Sequence, residues 1–480
     1  MDDFPVYEIL RNAASRWPDK PAVFDDFGEM SFKNLFSEAE ALRSALTRLG
    51  VKQGMCIGVK ARNGRNFIIG IFAVMGCGAA VMPIYHQLKK TEIDAILLEA
   101  RLHALLDDGR GLPNFETRDA LIPMKAGVFE FNWIAASQGM AFAPHVKMPA
   151  LMRYTSGTTG KSKGVIISHQ SAIERIEAAN KGLDLGPDDT VVWVLPMAYH
   201  FVVSIILYVR FGAAIAVVKD FLAKNIIEMT SRFKGTLLYA SPLQIRLLAN
   251  DAGNEMMPSL KKVISTSAGI SSAICSAFQQ RFNQEVSQAY GIIEIGLPII
   301  SRLNSSGDPD AVGYPLADYS IAILDENNNP LPNGSIGHLA IKGPGMFDAY
   351  LLPPQPRDEI LVKGYFLTAD YASQSADGLV KIEGRIKSVI NISGIKIFPE
   401  EIEAVLEAIP EIKLARISAS PHHLLGQVIE GEIVLQEGKN INIEEVLTYC
   451  RKRLSNFKAP QNLKIVKELP LTNTGKLIRE

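Results

Sequence analysis

The sequence predicts an α/β fold class, with a large N-terminal layered α/β domain followed by a small mobile C-terminal α+β domain. The chain has 480 residues, more than one ordinary hydrophobic core accommodates, so two or more domains are expected. Helical and strand-like apolar patterns alternate over much of the first 390 residues, and the pattern changes near Arg385. We therefore place the two domains at residues 1–386 and 387–480.

The N-terminal elements carry clear helix and strand signals. Ser31 can cap a helix that ends just before Gly50. Apolar residues of this helix recur at alternating spacings of four and three, which places them on one face: Leu35, Ala39, Leu42, Leu46 and Leu49. Strand-like runs occupy residues 55–61, 191–196 and 214–218. Helices between short apolar strands indicate layers built on largely parallel sheets.

One apolar stretch, residues 201–218, has the length of a membrane span but not its composition. Arg210 lies at its centre and Gly212 interrupts it, so a buried helix followed by a core strand is the better interpretation. The first residues, MDDFP, lack the basic and apolar regions of a secretory signal. We expect no transmembrane segment and a cytoplasmic location.

The C-terminal part predicts a small α+β unit. Pro399 followed by Glu400 and Glu401 opens a helix, in the order that a helix N-terminus favours. A strand (residues 427–435), a helix (441–454) and a second strand (463–469) are then expected in turn.

Charge and cysteine content argue against several classes of function. The formal net charge is -1, which gives no electrostatic reason to expect nucleic acid or an anionic membrane as the partner. The four cysteines (Cys56, Cys77, Cys275 and Cys450) lie far apart, without the spacing of a zinc site. Free thiols in a reducing compartment are therefore expected.

The most informative segment is residues 154–165, YTSGTTGKSKGV. Such a loop can wrap a polyphosphate, because glycines let backbone N–H groups approach, hydroxyls donate hydrogen bonds and lysines neutralise charge. The residues with these properties are Thr155, Ser156, Gly157, Thr158, Thr159, Gly160, Lys161 and Lys163. The apolar run that follows them predicts a strand.

Three other interpretations of this loop remain open. A P-loop requires GxxxxGK[ST]; Gly160, Lys161 and Ser162 fit, but Thr155 stands where the first glycine belongs. Residues 160–164 also fit the G-x-S-x-G pattern of serine hydrolases, although that site needs a strand before the serine and a helix after it. A plain surface turn is the third interpretation.

With this loop the chain resembles the adenylate-forming superfamily, which includes acyl-CoA synthetases, carrier-protein-loading adenylation domains and luciferases. It is most similar in type to stand-alone acyl-CoA synthetases, although Ser162 stands where the family usually has proline. Four further segments follow in the family's order, over almost the whole chain: residues 195–201 (LPMAYHF), 290–294 (YGIIE), 364–371 with 384–394 (GYFLTADY, GRIKSVINISG) and 469–479 (LPLTNTGKLIR). The resemblance implies ATP-dependent conversion of a carboxylic acid to an acyl-adenylate, followed by acyl transfer to a thiol.

The resemblance also implies a nucleotide site and a Mg²⁺ site. Glu294 would ligate Mg²⁺ together with the hydroxyl of Thr155, an oxygen-only pair of the kind that suits this ion. The alternative for Glu294 is an ordinary surface carboxylate. The loop from Thr155 to Lys161 would bind ATP, and Tyr290 would stack on adenine beside Gly291. A short turn would line the base: Ser267, Ala268 and Gly269.

Further roles implied by the resemblance fall near the C-terminus. Asp370 would accept hydrogen bonds from the ribose hydroxyls and Arg385 would reach the nucleotide, with a structural salt bridge between them as the alternative. Lys476 would be the catalytic lysine that bridges the carboxylate and the α-phosphate after the small domain closes. Lys387 would be the hinge of that domain, or an exposed linker lysine.

The chain departs from the family at two of these motifs. Ile293 stands where the family has threonine, and Ala369 replaces the glycine of its TGD pattern. The missing threonine hydroxyl would help to hold the α-phosphate. A nucleotide-binding homologue that has lost catalysis is therefore kept as a hypothesis, beside a serine hydrolase that uses Ser162.

The acid and the thiol are less well defined by the sequence. Amino-acid-activating relatives usually place an aspartate after the LP-type motif, and residues 197–203 contain no acidic residue, so a free α-amino acid is disfavoured. Tyr199, His200 and Phe201 are expected to line an apolar pocket for a fatty or aryl acid. Either Tyr199 or His200 would gate the carboxylate, unless His200 is simply packed. CoA is the expected thiol, and the phosphopantetheine of a carrier protein is the alternative.

Overall fold

The described part of the chain forms two nine-stranded sheets, a four-stranded sheet and a C-terminal unit with a three-stranded and a two-stranded sheet. The computed structural model describes residues 4–110, 118–137, 139–154, 163–266, 268–301, 311–388, 390–392, 395–422, 426–454, 458–471 and 477–478.

The α-helices of the described residues are α1 (Pro5–Arg16), α2 (Phe32–Arg48), α3 (Arg65–Gly76), α4 (Lys90–Glu99), α5 (His169–Leu183), α6 (Leu207–Phe211), α7 (Ala223–Arg232), α8 (Pro242–Ala249), α9 (Ser272–Phe282), α10 (Pro399–Glu407) and α11 (Ile443–Arg453). A turn of π-helix, Phe201–Ile206, leads directly into α6.

The strands of the first half are β1 (Pro21–Asp25), β2 (Gly28–Ser31), β3 (Cys56–Ala61), β4 (Ala80–Tyr85), β5 (Ala104–Asp107), β6 (Ala120–Met124), β7 (Gly127–Trp133), β8 (Pro149–Tyr154), β9 (Gly164–Ser168), β10 (Thr190–Trp193), β11 (Ala214–Val217) and β12 (Leu237–Ala240). Those of the second half are β13 (Lys262–Ser265), β14 (Ser287–Ile292), β15 (Gly296–Ile300), β16 (Tyr314–Pro315), β17 (Ser320–Leu324), β18 (Gly337–Lys342), β19 (Ala349–Tyr350), β20 (Gln355–Pro356), β21 (Phe366–Gln374), β22 (Val380–Arg385), β23 (Ile390–Ile392), β24 (Ile395–Ile397), β25 (Ile412–His422), β26 (Gly426–Leu435) and β27 (Asn462–Ile465).

The two large sheets are parallel at their centres and antiparallel at their edges. One has the order β16-β15-β14-β13-β12-β10-β11-β1-β2 and is parallel from β14 to β1. The other has the order β20-β19-β9-β8-β4-β3-β5-β7-β6 and is parallel only from β8 to β5. The expected α/β layers are therefore present. The expectation of largely parallel sheets is wrong at the edges, where neighbouring strands pair antiparallel.

Several predicted elements form as the sequence indicates. Ser31 caps α2 by accepting a hydrogen bond from the backbone N–H of Asn34, and the apolar face of that helix is buried. The stretch of residues 201–218 is a buried helix followed by strand β11, as expected, and Arg210 is exposed. No helix among the described residues is long and apolar enough to span a bilayer. Cys56, Cys77 and Cys450 are buried free thiols.

The loop at residues 155–162 lies outside the described residues, but both of its flanks are described. Strand β8 ends at Tyr154 and strand β9 begins at Gly164, and the two pair antiparallel as a hairpin. Helix α5 begins only after β9. A P-loop and a nucleophile elbow both require a helix directly after the loop, so this arrangement contradicts both alternatives.

The segments expected to bind substrate follow the carboxyl ends of parallel strands. Strands β4 and β8 end at Tyr85 and Tyr154 in one sheet, and β10 and β13 end at Trp193 and Ser265 in the other. Ligands of open α/β sheets bind outside these ends, so the fold places the expected segments where a site belongs.

The predicted C-terminal helices and strands also form, with a separate apolar core centred on Ile402, Ile417 and Ile433. Arg246 of α8 contacts this unit. Its guanidinium lies 2.8 Å from the Glu407 carboxylate at the end of α10 and donates a second hydrogen bond to the carbonyl of Lys413.

Candidate functional site

Three of the expected nucleotide-binding residues meet in one cluster. The Tyr290 phenol, on β14, donates a hydrogen bond to Oδ2 of Asp370 at 2.5 Å. Nε of Arg385 lies 2.9 Å from the other carboxylate oxygen, Oδ1. Burial raises the pKa of Tyr290, and the Asp370 carboxylate raises it further, so the phenol stays a proton donor at neutral pH. Asp370 is thereby held from two sides.

The backbone of the four-stranded sheet sets the position of this pair. Asp370 of β21 lies directly opposite Arg385 of β22 in the antiparallel register. The hydroxyl of Thr368 also accepts a hydrogen bond from the Asp370 backbone N–H. Asp370 is almost fully buried, whereas the Arg385 side chain is 46% exposed. The salt bridge that the alternative interpretation requires is therefore present, and the nucleotide role of both residues stays a prediction.

Glu294 lies in the turn between β14 and β15 and is buried, which excludes the surface-carboxylate alternative. Its Oε1 accepts a hydrogen bond from the Tyr350 phenol at 3.2 Å, and its backbone carbonyl accepts one from Phe347. Burial raises the pKa of Glu294, because a desolvated carboxylate without a directly bonded cation favours the protonated form. A divalent cation at this carboxylate would supply the missing positive charge.

Arg175 on α5 supports this turn, and sequence reasoning did not identify it. Its Nη1 donates to the carbonyl of Ile293 at 2.9 Å and its Nε donates to the carbonyl of Gly345 at 2.8 Å. Gly345 has φ +67°, and a Cβ there would lie 2.4 Å from the Arg175 backbone nitrogen, so only glycine fits. Arg175 thus fixes the residue just before Glu294.

The expected acyl-pocket residues follow strand β10. The backbone just before them is held by Asn63, whose side chain donates to the Leu195 carbonyl and accepts from the Met197 N–H, each at 2.8 Å. Tyr199 and His200 are half-buried. Phe201, in contrast, is buried in the core and packs edge-on against Phe67 at 5.8 Å.

Arg153, near the end of β8, joins the two large sheets at this point and was also missed from the sequence. Its Nη1 donates to the backbone carbonyl of Tyr199, and its guanidinium carbon lies 5.4 Å from the centre of the Tyr199 ring. A single arginine in a strand carries no periodic signal, so only its place two residues before the glycine-rich loop could have drawn attention to it.

Some predicted site residues lie outside the described residues: Thr155, Ser156, Gly157, Thr158, Thr159, Gly160, Lys161, Ser267 and Lys476. The backbone of Lys387 is described, in the short 3₁₀ turn Ile386–Ser388, but its side chain is not. Ala268, Gly269 and Gly291 are described and exposed. A Cβ on Gly291 would lie 2.5 Å from the Gly296 carbonyl oxygen, so no side chain can stand there.

Among the described side chains, no group of three or more histidines, cysteines or acids could hold a metal ion. That finding argues against a zinc site built by those side chains. It is compatible with Mg²⁺, which commonly uses one or two protein oxygens together with substrate phosphates and water. The buried Glu294 carboxylate fits the protein share of such a site.

Comparison with known proteins agrees with this arrangement. The family described as AMP-binding enzyme matches residues 10–351, and the family described as AMP-binding enzyme C-terminal domain matches residues 401–476.

Two relatives and one solved structure extend over nearly the whole chain. A sulfoacetate–CoA ligase from Cupriavidus necator is 27% identical over 98% of this chain and 96% of its own length. A fatty acid–[acyl-carrier-protein] ligase from Streptomyces coeruleorubidus is 25% identical over 97% and 93%. The anthranilate CoA ligase AuaEII, solved in complex with anthranoyl-AMP, is 22% identical over 98% and 95%, with a TM-score of 0.87, which shows a shared fold.

Proposed function

We propose, because the chain belongs to the AMP-binding enzyme family, that the cluster of Tyr290, Asp370 and Arg385, together with the buried Glu294, forms the centre of its active site. The protein is an ATP-dependent acid–thiol ligase of the acyl-CoA synthetase type. It converts a carboxylic acid to an acyl-AMP and then forms the CoA thioester. The residue roles below are proposals.

The first half-reaction is an in-line displacement. A carboxylate oxygen of the acid attacks the α-phosphorus of ATP, a new P–O bond forms, and the bond to the departing pyrophosphate breaks. Negative charge concentrates around the α-phosphate, so fixed donors and cations that are already in position lower the barrier. In the second half-reaction the thiol sulfur attacks the acyl carbon, the C–O bond to the phosphate breaks, and AMP leaves.

Asp370 is proposed to accept hydrogen bonds from the ribose hydroxyls, and Tyr290 to stack on adenine. The observation that carries this proposal is the geometry of the buried carboxylate, which Tyr290 and Arg385 hold from two sides. A carboxylate fixed before the nucleotide arrives binds it with little loss of side-chain freedom. Arg385, half-exposed beside it, is proposed to reach the nucleotide.

Glu294 and the hydroxyl of Thr155 are proposed to hold Mg²⁺, which would neutralise charge on the ATP phosphates. Arg175 and Tyr350 keep the Glu294 side of this site in place. The loop from Thr155 to Lys161 is proposed to bind the phosphates. Ile293 and Ala369 depart from the family pattern, and Ile293 lacks the hydroxyl that would help to hold the α-phosphate.

Lys476 is proposed to bridge the carboxylate and the α-phosphate, and Lys387 to be the point about which residues 387–480 move. A fatty or aryl acid remains the expectation from the sequence, with Tyr199, His200 and Phe201 lining its pocket. CoA is the proposed acceptor. The relative that loads an acyl-carrier protein supports the alternative, phosphopantetheine on a carrier protein. A cytoplasmic location is proposed, because free thiols are typical of a reducing compartment.

ATP–pyrophosphate exchange across a panel of fatty, aryl and short acids tests the proposed function, with Lys476→Ala as the control. Exchange that requires an acid and disappears in the variant is the expected result. ATP binding without exchange for any acid would favour the degenerate nucleotide-binding alternative. Hydrolysis without ATP, with labelling of Ser162 by a fluorophosphonate, would favour the hydrolase.

The acceptor is tested by offering CoA, pantetheine and a holo-carrier protein to the pre-formed acyl-adenylate. Faster thioester formation with CoA than with the other two is expected. Equal rates, or a faster rate with the carrier protein, would defeat the CoA assignment.

A further inference from the structure

The guanidinium of Arg153 contacts Tyr199 among the described residues. Nη1 donates to the Tyr199 carbonyl and the plane lies over the Tyr199 ring. Nε has no solvent-accessible surface and no hydrogen-bond partner. Among the described residues, no acidic side chain lies within ion-pair distance of this arginine. The side chain as a whole remains partly accessible, so it is recessed rather than sealed.

Other buried cations among the described residues have partners that the protein supplies. Lys60 lies 2.7 Å from the Asp107 carboxylate, and Arg65 lies 2.7 Å from that of Asp25. Arg175 donates to two backbone carbonyls. Arg153 differs from these cations, because its Nε has no hydrogen-bond partner among the described residues.

The charge on Arg153 persists at neutral pH and needs a partner. Burial lowers the pKa of Arg153 to about 10, and the Glu294 carboxylate opposes part of that lowering. Leaving a desolvated guanidinium unpaired is unfavourable, whereas a bound anion satisfies it. The planar fork of a guanidinium matches the two oxygens of a carboxylate or the oxygens of a sulfonate.

Further polar aromatic side chains lie beside Tyr199, the residue that Arg153 contacts. The Tyr85 ring centre lies 5.4 Å from that of Tyr199, and the His86 ring centre lies 4.9 Å from that of Tyr85. Nδ1 of His86 is also sealed from solvent without a hydrogen-bond partner. Burial lowers the pKa of His86 to about 4, so its ring is neutral at neutral pH. Such a wall suits a polar group better than an alkyl tail, whereas Phe201 faces the core.

We infer that Arg153 binds a second anionic group of the acyl substrate, a carboxylate or sulfonate at the end away from the carboxylate that is activated. The inference deepens the proposed function and rests on it.

The test compares acids that differ only in the far-end charge. Malonate, succinate and glutarate are each paired with their monoamides, and sulfoacetate is paired with methylsulfonylacetate, in which a methyl group replaces one sulfonate oxygen. Acid-dependent ATP–pyrophosphate exchange gives kcat/KM for each member. The wild-type protein, Arg153→Met and Arg153→Lys are assayed, with Arg175→Met as a second buried arginine that contacts only carbonyls.

The wild-type protein should prefer at least one anionic acid over its neutral partner by about 100-fold. Arg153→Met should lose that preference by lowering kcat/KM for the anionic acid, while the value for the neutral partner changes less than about threefold. Arg153→Lys should keep part of the preference, since it keeps the charge but not the fork. Arg175→Met should lower exchange equally for both members of a pair.

Two results would overturn the inference while leaving the proposed function intact. One is exchange by the wild-type protein with neutral acids only. The other is an equal loss for both members of every pair in Arg153→Met, with a raised KM for ATP, because Arg153 would then serve the nucleotide. Absence of exchange with every acid would instead overturn the proposed function, and the inference with it.

Discussion

The Tyr290 phenol and the Asp370 carboxylate are joined by a 2.5 Å hydrogen bond between β14 and β21, which belong to different sheets. The two residues are separated by 80 positions along the chain. Because Arg385 of β22 occupies the other carboxylate oxygen, the orientation of Asp370 is fixed by strands of two different sheets. The proposed nucleotide site is thus organised by the protein alone.

Tyr290→Phe removes the hydrogen bond and keeps the ring. One lost hydrogen bond to a charged group costs about 1.5–3 kcal/mol at most, but Arg385 still holds the carboxylate, so we expect KM for ATP to rise about fivefold with kcat little changed. Tyr290→Ala should raise KM further, because the stacking surface is lost as well. Steady-state exchange kinetics at varied ATP would check this, and an unchanged KM in Tyr290→Ala would count against the adenine role.

Asp370→Asn separates the ribose role from the structural salt bridge. If Asp370 binds the ribose hydroxyls, the variant should raise KM for ATP about tenfold, the effect of one to two charge-assisted hydrogen bonds. It should change KM for 2′,3′-dideoxy-ATP less than about twofold. The salt bridge itself adds little stability, about 0–1 kcal/mol, because the Arg385 side chain is 46% exposed. An equal change for both nucleotides would indicate a structural role only.

Glu294→Gln should make the nucleotide-free protein more stable and the enzyme much less active. Burial raises the pKa of Glu294 above its unfolded value, so the folded state binds a proton more tightly. Stability therefore falls as pH rises through the raised pKa, and the loss persists at neutral pH. Glu294→Gln cannot ionise at this position, so it does not lose stability in this way as pH rises. The melting temperature of the variant should therefore exceed that of the wild-type protein by more at pH 8 than at pH 5. Exchange should fall about 100-fold, since the proposed Mg²⁺ ligand is weakened.

Melting curves of both proteins over that pH range, without nucleotide or metal, are the measurement. A melting-temperature difference that does not depend on pH would contradict the prediction. Glu130→Gln is a matched control, because its carboxylate is paired with the exposed Arg118 and lies in β7.

Arg175→Met should destabilise the protein by about 2–4 kcal/mol, because buried carbonyls of Ile293 and Gly345 lose charged donors. Arg210→Met is the control: it removes an exposed pair with Glu177 and should cost less than about 1 kcal/mol. Denaturant unfolding followed by tryptophan fluorescence compares the two. Similar losses for both variants would show that Arg175 contributes little to the Glu294 turn.

Local patterns were enough to predict much of the fold. The four-and-three spacing after Ser31 predicted α2 and its cap, and residues 201–218 were correctly interpreted as a buried helix and a strand. Both depend on interactions between residues that are close along the chain. The antiparallel strands at the sheet edges were missed, because strand direction depends on how distant segments pair.

In the candidate site, too, the sequence predicted some residues but not the contacts between distant segments. Motif order pointed to Tyr290, Asp370 and Glu294, but not to the hydrogen bond between the first two, which no spacing encodes. Arg153 and Arg175 donate hydrogen bonds to backbone carbonyls of distant segments. Because every residue has a backbone carbonyl, the sequence does not indicate which carbonyl an arginine contacts. A second charged group on the acid is inferred from the contacts of Arg153 alone.

A carboxylate oxygen of the acid is proposed to attack the α-phosphate of ATP, and isotope transfer follows that oxygen into the products. The accepted acid is labelled with ¹⁸O in its carboxyl group and turned over with ATP, Mg²⁺ and CoA, and the phosphate products are analysed by mass spectrometry. AMP that carries one ¹⁸O atom is expected, together with unlabelled pyrophosphate. Label in inorganic phosphate with ADP as the co-product, or thioester formed without labelled AMP, would rule out attack at the α-phosphate.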